Sequence, residues 1–107
     1  MVDKKRPYTE WFVYILNCGD GSLYTGITTD LQRRLDEHND GKLGARYTRA
    51  RRPVELLWFE RHDSRSNAAT REAEIKKLDR QQKIQLIESG WKKRKKKLEK
   101  AGAVYSI

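Results

Sequence analysis

The feature that most restricts the fold is an unbroken apolar run followed at once by a turn. Residues Trp11-Phe12-Val13-Tyr14-Ile15-Leu16-Asn17 are aromatic, β-branched or aliphatic up to Asn17, which predicts a strand buried on both faces. Cys18-Gly19-Asp20-Gly21-Ser22 then offers glycines where the backbone can take positive φ, and Leu23-Tyr24-Thr25-Gly26-Ile27 alternates as a returning strand. With the turn centred near Asp20, residues whose numbers sum to about 40 face each other. Tyr14 therefore lies opposite Gly26, with Tyr24 a diagonal neighbour on the same face, and two phenols can converge.

Further along, Thr29 or Asp30 can N-cap a helix in which Leu31, Leu35 and His38 recur at i, i+4 and i+7, with Asn39-Asp40-Gly41 ending it. Residues 42–53 contain Gly44, Tyr47 and Pro53 among Lys42, Arg46, Arg49, Arg51 and Arg52, and predict an exposed, irregular cationic loop. Residues 54–59 predict a third strand that ends at Glu60-Arg61-His62-Asp63. Ser64 or Ser66 then caps a second helix running to about Leu78. A shorter helix over 81–88 is stopped by Ser89-Gly90. Strands and helices in this order predict one small α/β domain over residues 1–90 and a basic tail over 91–107.

A chain of 107 residues supports one thin core and one working surface. Lys and Arg number 24 against 15 Asp and Glu, a formal +9, so the expected macromolecular partner is polyanionic, nucleic acid ahead of an anionic membrane. Residues 91–107 alone carry seven basic residues and one acid, so most of the excess belongs to the tail. Such a run reports the sign of the partner and not its identity. The N-terminus is polar through Asp3, Lys4, Lys5 and Arg6, and no apolar run approaches ~18 residues, so a cytoplasmic protein with no membrane and no obligate protein partner is expected. One cysteine, Cys18, excludes an internal disulfide and a Cys-based zinc site, while His38 and His62 lack the paired spacing of metal ligands.

Helical phase selects the polar residues that can meet the tyrosines. Arg34 lies about 60° from Leu31 at the edge of the apolar stripe, whereas Arg33 points nearly opposite. On the second helix Glu72 falls near the centre of a face made by Ala68, Ala69, Ala73, Ile75 and Leu78, and Glu74 points away. A carboxylate among apolar residues needs a cation, and Arg34 or Mg²⁺ would serve. Phosphodiester hydrolysis needs an activated water, charge relief on the transition state and help for the leaving oxygen, which a tyrosinate, an arginine and a divalent metal supply. Tyrosine is a poor base at its ordinary pKa near ~10, so neighbouring groups must draw its proton off. Tyr14, Tyr24, Arg34 and His38 together form that kind of group. Arg46, Arg49, Arg51 and Arg52, interleaved with Tyr47, are candidates for phosphate contact. Gly26 lets a helix or the substrate backbone approach its strand.

These residues resemble the GIY-YIG nuclease superfamily. Phe12-Val13-Tyr14 stands where Gly-Ile-Tyr would, Tyr24-Thr25-Gly26 where Tyr-Ile-Gly would, and Thr28-x-Asp30-Leu31-x-x-Arg34-x-x-x-His38 matches the Arg and following His of the family. Glu72-x-x-Ile75-Lys76 matches its metal-binding Glu segment. The chain is most like the small stand-alone bacterial members, which also show the Tyr47-Thr48-Arg49 and Arg52-Pro53-Val54 stretches. The resemblance covers about residues 11–88 and implies a three-stranded antiparallel sheet flanked by helices. It also implies cleavage of DNA, duplex or branched, that depends on Mg²⁺ or Mn²⁺ and belongs to repair or processing of DNA structures. Arg34 would stabilise the transition state, Glu72 would hold the metal, one of Tyr14 and Tyr24 would activate water, and His38 would assist the proton transfer. A nucleic-acid-binding module of the same fold without turnover is the rival expectation. A protein-interaction domain with a basic tail is a third.

Overall fold

In the computed structural model, which describes residues 10–40 and 43–100, the hairpin forms with the expected register. Strands β1 (Trp11–Asn17) and β2 (Leu23–Thr28) pair antiparallel, Tyr14 opposite Gly26 and Leu16 opposite Tyr24. The turn is closed by Gly21 N–H donating to Cys18 O at 2.8 Å, with Gly21 at φ 85°, a conformation that glycine tolerates best. Strand β3 (Glu55–His62) pairs antiparallel on the other side of β1, giving a three-stranded sheet of order β2-β1-β3. It continues beyond the expected end, because Arg61 and His62 still pair with Phe12 and Trp11. Charged residues fit there since β3 is an edge strand. A register shift between Ile15 and Leu16 marks a bulge in this pairing.

Helix α1 (Leu31–Asn39) starts where Asp30 Oδ1 accepts from Arg33 N–H at 3.0 Å. Its Leu31 and Leu35 pack on a cluster of Tyr14, Leu16, Cys18 and Val54, the α1-facing side of β1. Val13 and Ile15 on the opposite side of β1 are equally dry, and the fully buried Ala68 and Ile75 belong to helix α3 (Arg65–Lys76), which packs on the sheet. Ser64 caps α3 by accepting from Asn67 N–H at 3.1 Å.

Two expectations need correction. Residues 42–53 are not wholly irregular and exposed: Arg46–Arg49 form a helical turn, α2, whose Thr48 is fully buried. Nor does Ser89-Gly90 stop a helix. Helix α4 runs unbroken over Arg80–Lys100, since one interior glycine costs only about 1 kcal/mol and no proline follows it. Its start is a reciprocal cap, Gln82 N–H donating to Asp79 Oδ1 at 2.8 Å and Asp79 N–H to Gln82 Oε1 at 3.0 Å. The chain divides into two compact units, one ending at Lys77 and the other starting at Leu78, and every candidate site residue lies in the first. Among the described residues no helix is long and apolar enough to cross a membrane. The expectations for Asp3, Lys4, Lys5, Arg6, Gly41, Lys42 and residues 101–107 concern positions outside the described residues.

Thr25 carries a buried hydroxyl with no hydrogen-bond partner, the one such side-chain atom among the described residues. Thr25→Val keeps the shape and removes the unpaired group, so it should stabilise the fold by about 1 kcal/mol and raise Tm by roughly 4–8 °C. A thermal melt that shifts downward instead would show that the hydroxyl has found a partner.

Candidate active site

The site is assembled on the α1-facing side of the hairpin. Tyr14 comes from the central strand and is 2% exposed. Its ring lies across Gly26 of β2, so closely that a Cβ there would sit 2.5 Å from the Tyr14 hydroxyl and 2.7 Å from Cζ. The glycine is therefore needed by the neighbouring tyrosine itself, and the expected approach of a helix or substrate is not what its missing side chain first provides. Tyr24, half-buried on β2, has its ring centroid 6.5 Å from that of Tyr14. Convergence of the two phenols on one face is thus as the register predicted.

His38 closes the cluster from α1. It is fully buried, its Nε2 is 2.8 Å from the Tyr14 hydroxyl, and its ring centroid is 5.2 Å from that of Tyr24. Its Nδ1 is 2.8 Å from Thr48 Oγ1 on α2. Thr48 in turn donates to Ala45 O at 2.9 Å. A polar chain of Tyr14, His38, Thr48 and a backbone carbonyl therefore runs through the interior. Burial, aided by the positive charge of Arg34, pushes the His38 pKa down to about 4, so the imidazole is neutral at physiological pH. Burial likewise pushes Tyr14 up to about 12, and the Arg34 guanidinium at its hydroxyl pulls in the opposite direction.

Helical phase separated the arginines correctly: Arg34 is 26% exposed and Arg33 59%. The Arg34 Nη1 atom donates to Glu37 Oε1 at 2.9 Å and to Leu43 O at 2.7 Å, which holds the guanidinium beside Tyr14. Phase also separated the glutamates, with Glu72 22% exposed and Glu74 60%. The predicted surroundings of Glu72 differ, however. Ala73 is exposed, and the buried stripe of α3 is Ala68 and Ile75, so Glu72 borders that stripe and pairs with Lys76 at 3.3 Å rather than with Arg34. Its charge is nevertheless felt at Tyr14, whose ionisation it opposes.

The four loop arginines separate into two pairs. Arg46 and Arg49 are exposed. Arg51 donates to Asp20 Oδ2 at 2.9 Å and lies 3.8 Å over the Tyr47 ring, and Tyr47 stacks on Tyr24 at 5.8 Å. Arg52 donates to His38 O at 2.7 Å, satisfying a carbonyl at the end of α1. These two, both partly buried, brace the site through contacts within the protein. Sequence reading gives Thr48 and Glu37 no site role and takes Tyr47 only as an aromatic among phosphate-contacting arginines. The Tyr47-Thr48-Arg49 stretch enters it only as part of the family resemblance, and a four-residue helix has too little periodicity to reveal a buried face.

Comparison with known proteins agrees with the fold. The GIY-YIG catalytic domain model matches residues 10–85. The chain is 55% identical over 76 residues to a UPF0213 protein of Syntrophus aciditrophicus (strain SB), covering 71% of this chain and 87% of that one. It is 57% identical over 79 residues to a UPF0213 protein of Haloquadratum walsbyi (strain DSM 16790 / HBSQ001), covering 74% and 88%. The solution NMR structure of a protein from E. faecalis superposes with a TM-score of 0.51 at 38% identity, covering 75% of this chain and 84% of that one.

Two outcomes follow from the buried cluster. Gly26→Ala forces the Tyr14 ring aside and should destabilise the fold by about 1–3 kcal/mol in urea titrations; an unchanged midpoint would mean the ring does not rest on Gly26. His38 should make stability pH-dependent. Its pKa is about 4 in the folded state against 6.5 ordinarily, so below 6.5 the unfolded chain binds a proton that the folded chain refuses. Stability should then fall on acidification by about 2 kcal/mol between pH 7.5 and 5, a component that His38→Gln removes. An identical acid loss in that variant would assign it to other groups.

Proposed function

The chain belongs to the GIY-YIG catalytic-domain family, and on that premise we propose that it is a divalent-metal-dependent endonuclease that hydrolyses phosphodiester bonds in DNA. The observation that carries the reading is the Tyr14 hydroxyl held 2.8 Å from the neutral, buried His38, with the Arg34 guanidinium beside it. Tyr14 and His38 act as one proton acceptor. As the water O–H breaks, the Tyr14 O–H re-forms with the water's proton, and the proton that Tyr14 gives up binds His38 Nε2. The water oxygen bonds to phosphorus as the P–O bond to the leaving oxygen breaks; that alkoxide takes a proton from solvent, and the His38 imidazolium returns its own through Tyr14 after turnover.

A positive His38 is disfavoured in the free protein, partly because Arg34 and Arg52 stand near it. An arriving phosphate anion that pairs with Arg34 would offset that repulsion, so proton acceptance becomes easier when substrate is bound. Arg34 is arranged for this second role too. Its Nη1 is held by Glu37 and Leu43 O, which leaves other N–H groups of the fork for a phosphate oxygen. Tyr24, less buried and braced by Tyr47, orients the water or the phosphate.

Among the described residues no three His, Cys, Asp or Glu side chains gather into a metal cage. Mg²⁺ and Mn²⁺ need no such cage, since one carboxylate and several waters suffice for Mg²⁺. Glu72 fits, because it is accessible and its partner is an exposed lysine one turn away, a pairing worth only about 0.3–0.5 kcal/mol. When bound there, the ion would neutralise charge developing on the phosphate. Exposed Arg46 and Arg49 supply backbone contacts on DNA, within a role in repair or processing of DNA structures.

The test is incubation with branched, single-stranded and duplex DNA, with and without Mg²⁺ or Mn²⁺, beside Arg34→Ala and Glu72→Ala. Cleavage should require the ion, and each substitution should lower kcat by roughly 10²–10³. Undiminished cleavage by both variants places the active site elsewhere. Salt-sensitive binding by the unmodified protein without metal-dependent cleavage identifies a binding module instead.

A further inference from the structure

An imidazole can take a proton at Nε2 only while its own proton sits on Nδ1. In the free protein something must enforce that choice, since isolated histidine populates both forms. The chain of bonds beyond His38 fixes the direction. Ala45 O is a carbonyl and can only accept, so the single Thr48 hydroxyl proton, 2.9 Å away, points to it. Toward His38 Nδ1, at 2.8 Å, the Thr48 oxygen can then only accept.

We propose that Thr48 is a positioning residue for the proton transfer described above: it keeps His38 in the Nδ1–H form, with the Nε2 lone pair aimed at the Tyr14 hydroxyl. The proposal rests on the reading of Tyr14 and His38 as the proton acceptor. Thr48 is 0% exposed, so water does not compete for either bond. The turn that carries it is anchored on both sides. Gly44 packs so tightly under α1 that a Cβ there would lie 2.5 Å from Glu37 O. After the turn, Arg51 N–H donates to Thr48 O at 2.9 Å while its side chain reaches Asp20 in the hairpin. The neighbouring Tyr47 stacks on Tyr24, so one turn sets the histidine tautomer and supports the second phenol.

Two readouts on the 107-residue chain test this. Long-range ¹H–¹⁵N spectra of the His38 ring near neutral pH report the tautomer directly, and cleavage kinetics report the consequence. In the unmodified protein Nδ1 should be protonated and Nε2 bare. Thr48→Val keeps the shape without the hydroxyl; it should abolish that preference and lower kcat roughly 10–100-fold, as loss of an orienting partner does. KM should stay within about twofold, because no substrate contact is removed. Thr48→Ser keeps the hydroxyl and should restore both readouts. An Nε2–H ring in the unmodified protein overturns the proposal. So does a Thr48→Val variant with unaltered tautomer and kcat, or a Thr48→Ser variant as impaired as Thr48→Val. If the unmodified protein cleaves no DNA, the nuclease reading fails separately, and the ring spectrum still decides whether Thr48 sets the tautomer.

Discussion

The hydrogen bond between Tyr14 and His38 dictates much of the architecture around it. Residues 13–16 of the central strand are almost wholly buried, so the Tyr14 hydroxyl needs a partner from within the protein. Once His38 supplies a partner, the second ring nitrogen needs one as well, and so in turn does the residue that provides it. The chain ends only at Ala45 O, a group that requires no further donor. A half-completed chain would leave a buried polar atom at a cost of about 1–3 kcal/mol. α1 must therefore present its last turn to the sheet, and the segment after it must fold back as a helical turn. The absence of a side chain at Gly26 gives the phenol its seat.

Charge is arranged around this neutral chain rather than within it. Arg34 and Arg52 approach His38 from the α1 side and help keep it uncharged, while Glu37 acts in the opposite sense. The same Glu37 fixes Arg34 through a 2.9 Å bond. One carboxylate thus restrains an arginine without removing its positive field from Tyr14. Such an arrangement makes the protonation state of the buried pair sensitive to an anion bound at Arg34, which is what the proposed reaction needs at the moment of attack.

Much of this was legible in the sequence because it depends on short-range geometry. The turn centred near Asp20 fixes Tyr14 opposite Gly26, and a helix of 3.6 residues per turn separates Arg34 from Arg33 and Glu72 from Glu74. The missed features arise from contacts distant along the chain. Thr48 meets His38 across ten positions and Arg51 meets Asp20 across thirty-one, and no local pattern announces either. Asn39, read as part of a helix stop, also ties α1 to the residue that leads into β3, donating to Val54 O at 2.9 Å and accepting from Val54 N–H at 2.7 Å. The face of α3 was misjudged at Ala73 because alanine is small enough to be exposed without penalty, so it marks a buried stripe poorly. Gly90 misled for a related reason: its helix penalty is too small to stop a helix that neither proline nor capping chemistry interrupts.

The basic loop shows how far composition can stray from surface charge. Four arginines within seven residues suggested a uniform phosphate-binding strip, yet two of them hold the site together. Each phosphate neutralised on duplex DNA contributes about −0.9 to the salt slope of binding. In the proposed complex with DNA, a loop offering Arg46 and Arg49 outward would therefore make a smaller electrostatic contribution than its composition suggests. Arg51 and Arg52 shape the site itself, the first by clamping Tyr47 over Tyr24 and the second by securing the carbonyl of His38. Fold stability and site geometry then rest on the same bonds, so a substitution at either arginine would disturb the tyrosines as well as the charge.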